Sequence, residues 1–179
     1  MVSPPYSRDT DSERQEFLKF HLLPETTILV PITQLIEVIT VPFNQVIPIP
    51  ELPSWVMGVY NWRGKILWLV DTGDLVGLGA KSESLSLNNT YNVVVLKSED
   101  SATTTMGNDF SYKTLGLVVD RVEEIEWCYS SDIQTPPSTG VNPGFLPFLQ
   151  GYLIKPEGDI MVIFDGESIM STMPQSDGP

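Results

Sequence analysis

Two stretches of the chain decide its fold: residues 58–71 read GVYNWRGKILWLVD, and residues 151–165 read GYLIKPEGDIMVIFD. Each opens with Gly, turns at a second Gly, and then runs through five apolar residues to an Asp. Short apolar segments that meet at a Gly turn predict a β-hairpin. The closing residues, Asp71 and Asp165, predict the N-caps of short helices. Because one strand–turn–strand–helix unit recurs, we expect two related small β-subdomains rather than one continuous sheet.

Outside these units, alternating apolar residues and frequent Gly and Pro turns predict an all-β protein with roughly ten short strands and about three brief helices, a pattern typical of small barrels or a sandwich. The first hairpin is predicted at 55–70 and the second at 150–164. The polar ends of the chain, residues 1–14 and 173–179, are predicted as a disordered arm and tail. The folded part is then 15–172, a single domain.

Several finer expectations follow from the same pattern. Thr33 is a candidate cap for a short helical turn, and residues 44–49 are expected to form an edge strand fringed by Pro. The apolar run at 66–70 predicts a strand covered on both faces. Residues 121–127 are expected to continue the strand at 114–119, as its hairpin mate or its extension.

Composition limits the classes of function. The chain has 179 residues, of which 41% are hydrophobic, and a formal net charge of −13. This charge argues against nucleic acid and against anionic membrane surfaces, since both need a face rich in Lys and Arg. It favours protein partners, although acidity also simply keeps a protein soluble. Residues 1–16 are not a signal peptide, and no apolar run approaches the roughly 20 residues of a membrane span. We therefore expect a cytoplasmic protein without direct membrane insertion.

Few residues point to catalysis, and we predict no cofactor and no metal. His21 is the only His and Cys128 the only Cys, which excludes a disulfide within the chain and the usual zinc clusters. His21 is interpreted as an outward strand residue and Cys128 as a packed or half-exposed thiol. One catalytic alternative stays open: a carboxylate-based hydrolase using Asp71, Asp120 or Asp165, which needs two carboxyl groups about 5–9.5 Å apart in a cleft.

Charge placement singles out the first hairpin. Between Lys19 and Lys81 the only cationic residues are Arg63 and Lys65, beside Trp62. Arg and Trp are favoured anchors of protein interfaces, so this turn is a candidate contact site. The alternative is an ordinary solvated turn.

Ordered motifs give the chain a resemblance to the CheW-like family, the coupling proteins of bacterial chemosensory arrays. The most specific match is Leu52-Pro53 followed by 56–66 and 69–71. The other matches, which keep the family's order across 15–172, are 15–20, 30–32, 35–39, 115–122, 148–151 and 160–165.

The resemblance implies two five-stranded SH3-like β-barrels, intertwined within one CheW-like domain, with a groove between them. It implies a non-catalytic adaptor that couples the cytoplasmic helical hairpin of a methyl-accepting chemoreceptor or photoreceptor to the regulatory domain of a CheA-like histidine kinase. In the family, that kinase domain pairs with the coupling protein barrel to barrel; we expect apolar residues at the edge of the first barrel to make this contact. A scaffold that binds another signalling regulator is the milder alternative.

The resemblance also implies which residues bind partners. Leu35 and Glu37 match positions near the receptor groove, and Gly58, Asn61 and Arg63 match the family's hairpin. Gly116, Val122 and Ile125 match the second-barrel wall of the groove. Together with Trp62 and Lys65, which charge placement singles out, the candidate protein-binding residues are Leu35, Glu37, Gly58, Asn61, Trp62, Arg63, Lys65, Gly116, Val122 and Ile125.

Three departures from the family pattern concern the identity of the partner rather than the fold. The family usually has Leu where this chain has Trp62, the segment 27–30 lacks the usual aromatic residue, and the polar loop 98–111 is longer. The hairpin with its Trp is similar to coupling proteins of type IV pilus (twitching) motility or phototaxis systems.

Overall fold

The computed structural model describes residues 13–22, 25–79, 88–98, 114–135 and 143–174. These ranges contain short strands, two short α-helices and a few 3-10 turns. The strands are β1 Arg14–Leu22, β2 Thr26–Pro31, β3 Leu35–Pro42, β4 Val56–Trp62, β5 Lys65–Asp71, β6 Thr90–Lys97, β7 Thr114–Val119, β8 Arg121–Tyr129, β9 Leu149–Ile154 and β10 Ile160–Phe164. The helices are α1 Thr72–Leu75 and α2 Gly166–Thr172, and the 3-10 turns are Ile32–Gln34, Phe43–Gln45, Ser130–Asp132 and Leu146–Phe148.

The strands form two five-stranded sheets, which confirms the predicted all-β, SH3-like class. One, the β1 sheet, has the order β8-β1-β2-β10-β9, and the other, the β6 sheet, has the order β3-β6-β7-β5-β4. Each sheet contains one of the two related hairpins, β9–β10 or β4–β5. In each, the second hairpin strand also pairs in parallel with a strand of the other half, β10 with β2 and β5 with β7.

The two sheets are built by exchange between the halves of the chain. The two strand orders are equivalent when strands whose numbers differ by five are matched. In this match β1 corresponds to β6, β3 to β8 and β5 to β10. Each half gives its first two strands to one sheet and its last three to the other. Of the two alternatives for 121–127, the hairpin mate is therefore wrong, because β8 pairs with β1 and not with β7. A single residue, Asp120, separates β7 from β8, which is too short for the usual two-residue hairpin loop.

Strand periodicity divides the apolar residues among three cores. Along β6, Val93 and Val95 belong to a core inside the β6 sheet, whereas Val94 belongs to the core between the sheets. A third core, which includes Phe17, lies inside the β1 sheet. Because successive strand residues point to opposite faces, a sheet covered on both faces needs continuous apolar runs. The run at 66–70 follows this rule from its second residue on, but Ile66 is 70% exposed.

Close backbone contacts account for the glycine that opens each repeated unit. A Cβ at Gly58, where φ is +139°, would lie 2.1 Å from the carbonyl oxygen of Ile47. A Cβ at Gly151 would lie 2.9 Å from the carbonyl oxygen of Gln134. Ile47 and Gln134 make equivalent isolated bridges to the hairpins. The strand expected at 44–49 is reduced to this one bridge, because the neighbouring prolines lack the N–H that a ladder needs.

The predicted Asp caps are present. Asp71 accepts a hydrogen bond from the backbone N–H of Asp74, and Asp165 accepts one from the N–H of Glu167. Thr33 is not a cap, since the 3-10 turn at Ile32–Gln34 has no side-chain cap. Buried Gln34 has the larger role: its Oε1 accepts from Gly166 N–H at 2.8 Å and its Nε2 donates to Asp165 at 3.1 Å.

The chain ends and the long loop are described only in part. Arg14, expected in the arm, is the first residue of β1 and pairs with Tyr129. Residues 1–12 and 175–179, which carry most of the predicted arm and tail, lie outside the described ranges, as does the predicted loop 98–111 beyond its first residue.

Candidate functional site

The tip of the β4–β5 hairpin is a tight two-residue turn. Arg63 and Gly64 both have positive φ, +54° and +79°, and Trp62 pairs with Lys65 across them. Two left-handed central residues define a type I′ turn, whose twist matches that of the flanking strands. Asn61 secures the turn, because its Oδ1 accepts from the Gly64 N–H at 2.9 Å. Trp62 is therefore the last residue of β4 and not part of the turn.

Glu37 of β3 reaches this tip and binds two of its side chains. Its Oε1 accepts from Trp62 Nε1 at 2.7 Å, and its Oε2 accepts from Arg63 Nη2 at 2.6 Å. The Arg63 guanidinium carbon also lies 5.4 Å from the centroid of the Trp62 ring. Arg63 is 68% exposed and Glu37 only 25%. The hairpin therefore presents an ordered cation to solvent, held by a carboxylate that is itself mostly covered.

Arg63 occupies an unfavourable backbone conformation for its type. Non-glycine residues in the left-handed region are uncommon, and Asn, Asp or Gly are preferred at this position of a type I′ turn. Such strain concentrates at functional sites. The guanidinium is present despite its backbone cost, which supports a role in contact rather than in turn formation.

Leu35 and Gly58 lie outside the exposed tip. Leu35 is half-buried and packs against the core between the sheets. Gly58 is buried against the backbone of Ile47. Exposed Ile36 and Val38 flank Glu37 on β3. Five of the predicted residues form one continuous tip, in which Lys65 is exposed. They are Glu37, Asn61, Trp62, Arg63 and Lys65.

The three remaining predicted residues do not form one wall. Gly116 lies in β7 of the β6 sheet, and a Cβ there would lie 2.6 Å from Leu69 Cδ2, so it serves close packing. Val122 and Ile125 belong to β8 of the β1 sheet; Val122 packs against the core between the sheets, and Ile125 is exposed. Gly116 is enclosed by side chains, and its match to the wall of the groove stays a prediction.

An exposed apolar row on β8 was missed by the sequence prediction. Ile125, Trp127 and Tyr129 alternate along this edge strand and are all exposed. The Trp127 and Tyr129 rings meet edge to face at 5.6 Å, and the Arg14 guanidinium lies 4.3 Å from the Trp127 centroid. The period-two pattern of RVEEIEWCY was the available signal, but without the sheet order it does not show which side is uncovered.

A network of charged side chains connects β8 with Lys19 of β1 and with Lys155, which follows β9. Lys19 is within salt-bridge distance of Glu123, Glu124 and Glu126, and Glu126 also binds Lys155 at 2.5 Å. Burial by itself would lower the pKa of Lys19, but the hydrogen bond to Glu123 and the surrounding carboxylates raise it above its ordinary value.

His21 belongs to this network rather than pointing outward alone. Its Nε2 lies 2.8 Å from Glu123 Oε1, and its Nδ1 lies 3.3 Å from the Thr27 hydroxyl. Hydrogen bonding to His21 lowers the pKa of Glu123; burial opposes this effect, and Lys19 adds to it. Within the described ranges, no group of three or more His, Cys, Asp or Glu side chains is arranged to hold a metal ion.

Cys128 has the properties of a packing residue. It is buried, and burial, together with the charges of Asp132 and Glu126, raises its pKa to about 11. A thiol with so high a pKa is almost entirely protonated near neutral pH and is a poor nucleophile.

The geometry does not favour the hydrolase alternative. Asp71 and Asp165 follow strands of different sheets, and each caps its own helix. Asp165 lies at the rim of an open cleft of about 860 Å³. Its two carboxylate oxygens bind the side chain of Gln34, the Glu167 N–H and the Ser168 hydroxyl. Asp71 does not line that cleft, so these two carboxylates do not share it.

No helix within the described part of the chain has both the length and the hydropathy needed to cross a membrane.

Comparison with known proteins agrees with this architecture. A crystal structure of the scaffolding protein TtCheW from Thermoanaerobacter tengcongensis is similar, with a TM-score of 0.67 and 20% sequence identity over 86% of this chain and 90% of that chain. Comparison with curated proteins gives no match. The model of the CheW-like domain family matches residues 16–173. With nearly the whole chain covered by this match and the predicted resemblance confirmed, the protein belongs to the CheW-like domain family.

Proposed function

We propose that the protein is a non-catalytic adaptor that couples the cytoplasmic hairpin of a methyl-accepting chemoreceptor or photoreceptor to the regulatory domain of a CheA-like histidine kinase. Membership of a family of chemotaxis scaffolds supports the coarse role. The observation that carries the finer one is the exposed Arg63 guanidinium, fixed by Glu37 and Trp62 on a strained turn. An ordered Arg beside an aromatic ring is a typical interface anchor.

A coupling role needs two surfaces, and the two sheets supply one each. The hairpin tip belongs to the β6 sheet, and the exposed row of Ile125, Trp127 and Tyr129 belongs to the β1 sheet. The tip is polar and charged, whereas the row is aromatic and apolar with Arg14 at its margin. Surfaces of such different chemistry suit different partners. We therefore propose that the receptor binds the tip together with the predicted groove residues Leu35 and Glu37.

Charge reversal tests this assignment. We expect Arg63→Glu to weaken binding of a receptor hairpin fragment by about 1–3 kcal/mol, or roughly 5- to 150-fold. The matched control is Arg121→Glu. Arg121 is also 68% exposed and also pairs with one glutamate, Glu123, but lies on the other sheet. Equal binding by wild type and Arg63→Glu, with both folded by circular dichroism, would exclude the hairpin from the receptor site.

The partner system is a separate proposal. The Trp at position 62 supports a pilus-motility or phototaxis array, as does the resemblance of the hairpin. Affinity purification from the native cell tests this: we expect a methyl-accepting receptor and a CheA-like kinase to be recovered together. If an unrelated regulator is recovered without a receptor or a kinase, the array hypothesis is wrong and the alternative, a scaffold that binds another signalling regulator, takes its place.

A further inference from the structure

The seam between the two edges of the β6 sheet holds an unusual contact. The strand order places β3 and β4 at opposite edges of this sheet, and no backbone ladder joins them among the described strands. The carboxylate of Glu37 on β3 nevertheless binds Trp62, the last residue of β4, at 2.7 Å. The Glu37 and Trp62 side chains therefore connect the β3 and β4 edges of the β6 sheet, which no described backbone ladder joins.

The indole N–H is the component that the turn itself does not require. Glu37 has two oxygens facing the hairpin; one binds the Arg63 guanidinium and the other binds the Trp62 indole. Arg63 lies over the same indole ring. Each of the three side chains thus contacts the other two, and removal of the indole donor leaves the mostly exposed Arg63 guanidinium as the remaining partner of Glu37 at the tip.

We infer that Trp62 is a positioning residue: its indole N–H holds Glu37 and so fixes the direction of the Arg63 guanidinium while closing the β3–β4 seam. We call this three-residue arrangement the indole clamp. The inference deepens the proposed function and rests on it only where docking is concerned; the clamp itself is a property of the free protein.

Trp127 provides a control within the same molecule. It too carries an arginine over its ring, Arg14 at 4.3 Å, but it lies on β8 of the β1 sheet and is exposed. A comparison of Trp62→Phe with Trp127→Phe therefore removes one indole N–H in each case and keeps an aromatic ring beneath an arginine. Only the first change removes a donor to Glu37.

Nuclear magnetic resonance of the free full-length protein tests the clamp. We expect the Trp62 indole proton to exchange with solvent roughly tenfold more slowly than that of Trp127, since a hydrogen-bonded donor must open before it exchanges. Glu37→Ala removes this protection. The Arg63 side-chain Nε–H signal is expected to lose order in Trp62→Phe and to keep it in Trp127→Phe. Equal exchange of the two indoles, or unchanged Arg63 order in Trp62→Phe, would overturn the inference.

A binding arm separates positioning from direct contact. If Trp62 acts through Arg63, Trp62→Phe weakens receptor-fragment binding, and the double variant Trp62→Phe/Arg63→Gln binds no more weakly than Arg63→Gln alone. Additive losses would mean that the indole touches the partner itself and would overturn the positioning role. If wild-type protein binds no fragment, the proposed function fails, and the exchange and order measurements alone decide the clamp.

Discussion

Replacing Arg63 with Asn should separate stability from binding. Arg63 has φ of +54° at a position of a type I′ turn where Asn is preferred. The variant therefore relieves backbone strain while it removes the exposed charge that we propose as the receptor anchor. Most substitutions that abolish an interaction at a folded site also destabilise the protein; here the two effects are expected to diverge.

The structure sets the size of each term. Relief of a non-glycine residue in the left-handed region contributes about 1 kcal/mol. The variant also loses two stabilising contacts. The ion pair with Glu37 contributes roughly 0.5 kcal/mol for a side chain that is 68% exposed, and the stacking on Trp62 contributes about 0.5 kcal/mol at an exposed site. These terms nearly cancel, so we expect the melting temperature to change by less than about 2 °C. Receptor-fragment affinity, in contrast, falls by about 1–3 kcal/mol.

Thermal unfolding and a fragment titration, made on the same preparations, measure both quantities. Arg121→Asn is the control, because it removes an equally exposed arginine that also pairs with one glutamate, at a position outside the tip and without positive φ, and so gives no backbone relief. A fall in melting temperature of more than about 4 °C in Arg63→Asn, which is about 1 kcal/mol or more, would refute the strain argument. Binding equal to that of wild type would refute the anchor.

Three further outcomes are expected. Cys128, with a pKa of about 11, should react with a disulfide reagent at pH 8 on the order of 100-fold more slowly in the folded protein than after unfolding, and equal rates would contradict its burial. Gly58→Ala places a Cβ 2.1 Å from a carbonyl oxygen and should lower the free energy of unfolding, measured in urea, by about 3 kcal/mol or more. Gly64→Ala, whose Cβ meets nothing within 4 Å, should lower it by about 1 kcal/mol. Burial alone would raise the pKa of Glu126, but Lys155 and Lys19 lower it below 4.5. The stabilisation from the Glu126 carboxylate is therefore present above pH 4.5 and is lost as the pH falls through its lower folded-state pKa. The stabilities of wild type and Glu126→Gln should converge on acidification, and a constant difference down to about pH 2 would contradict this.

The fold class was predictable because its signals are local. The repeated hairpins, their Gly turns and the Asp caps each depend on neighbouring residues, and the structure contains all of them. The exchange of strands was not predictable, because an apolar period of two identifies a strand without naming its partner. For the same reason the sequence left open whether β8 is the hairpin mate or the extension of β7, and it did not indicate the pairing with β1.

The candidate site shows the same division. The tip residues Asn61, Trp62 and Arg63 were predicted from composition and resemblance, since they are adjacent in the chain. Glu37 was predicted by resemblance alone; its contact with Trp62 joins residues 25 positions apart and follows from the closure of the β6 sheet. The crowded position of Gly116 was not predictable, because a glycine in a motif does not reveal whether it lies at a surface or in a core.

The exchange of strands also bears on how the protein is made. When the ribosome has completed β5, the β1 sheet has only its β1–β2 hairpin, and the β6 sheet has only β3, β4 and β5, which lack the β6 and β7 strands that join them. Neither sheet can be finished from the first half. The β6 sheet has all its strands once β7 is synthesised, whereas the β1 sheet must wait for β10, the parallel partner of β2. The β6 sheet can therefore mature before the β1 sheet, and a chain that stops before β7 offers neither docking surface in its finished form.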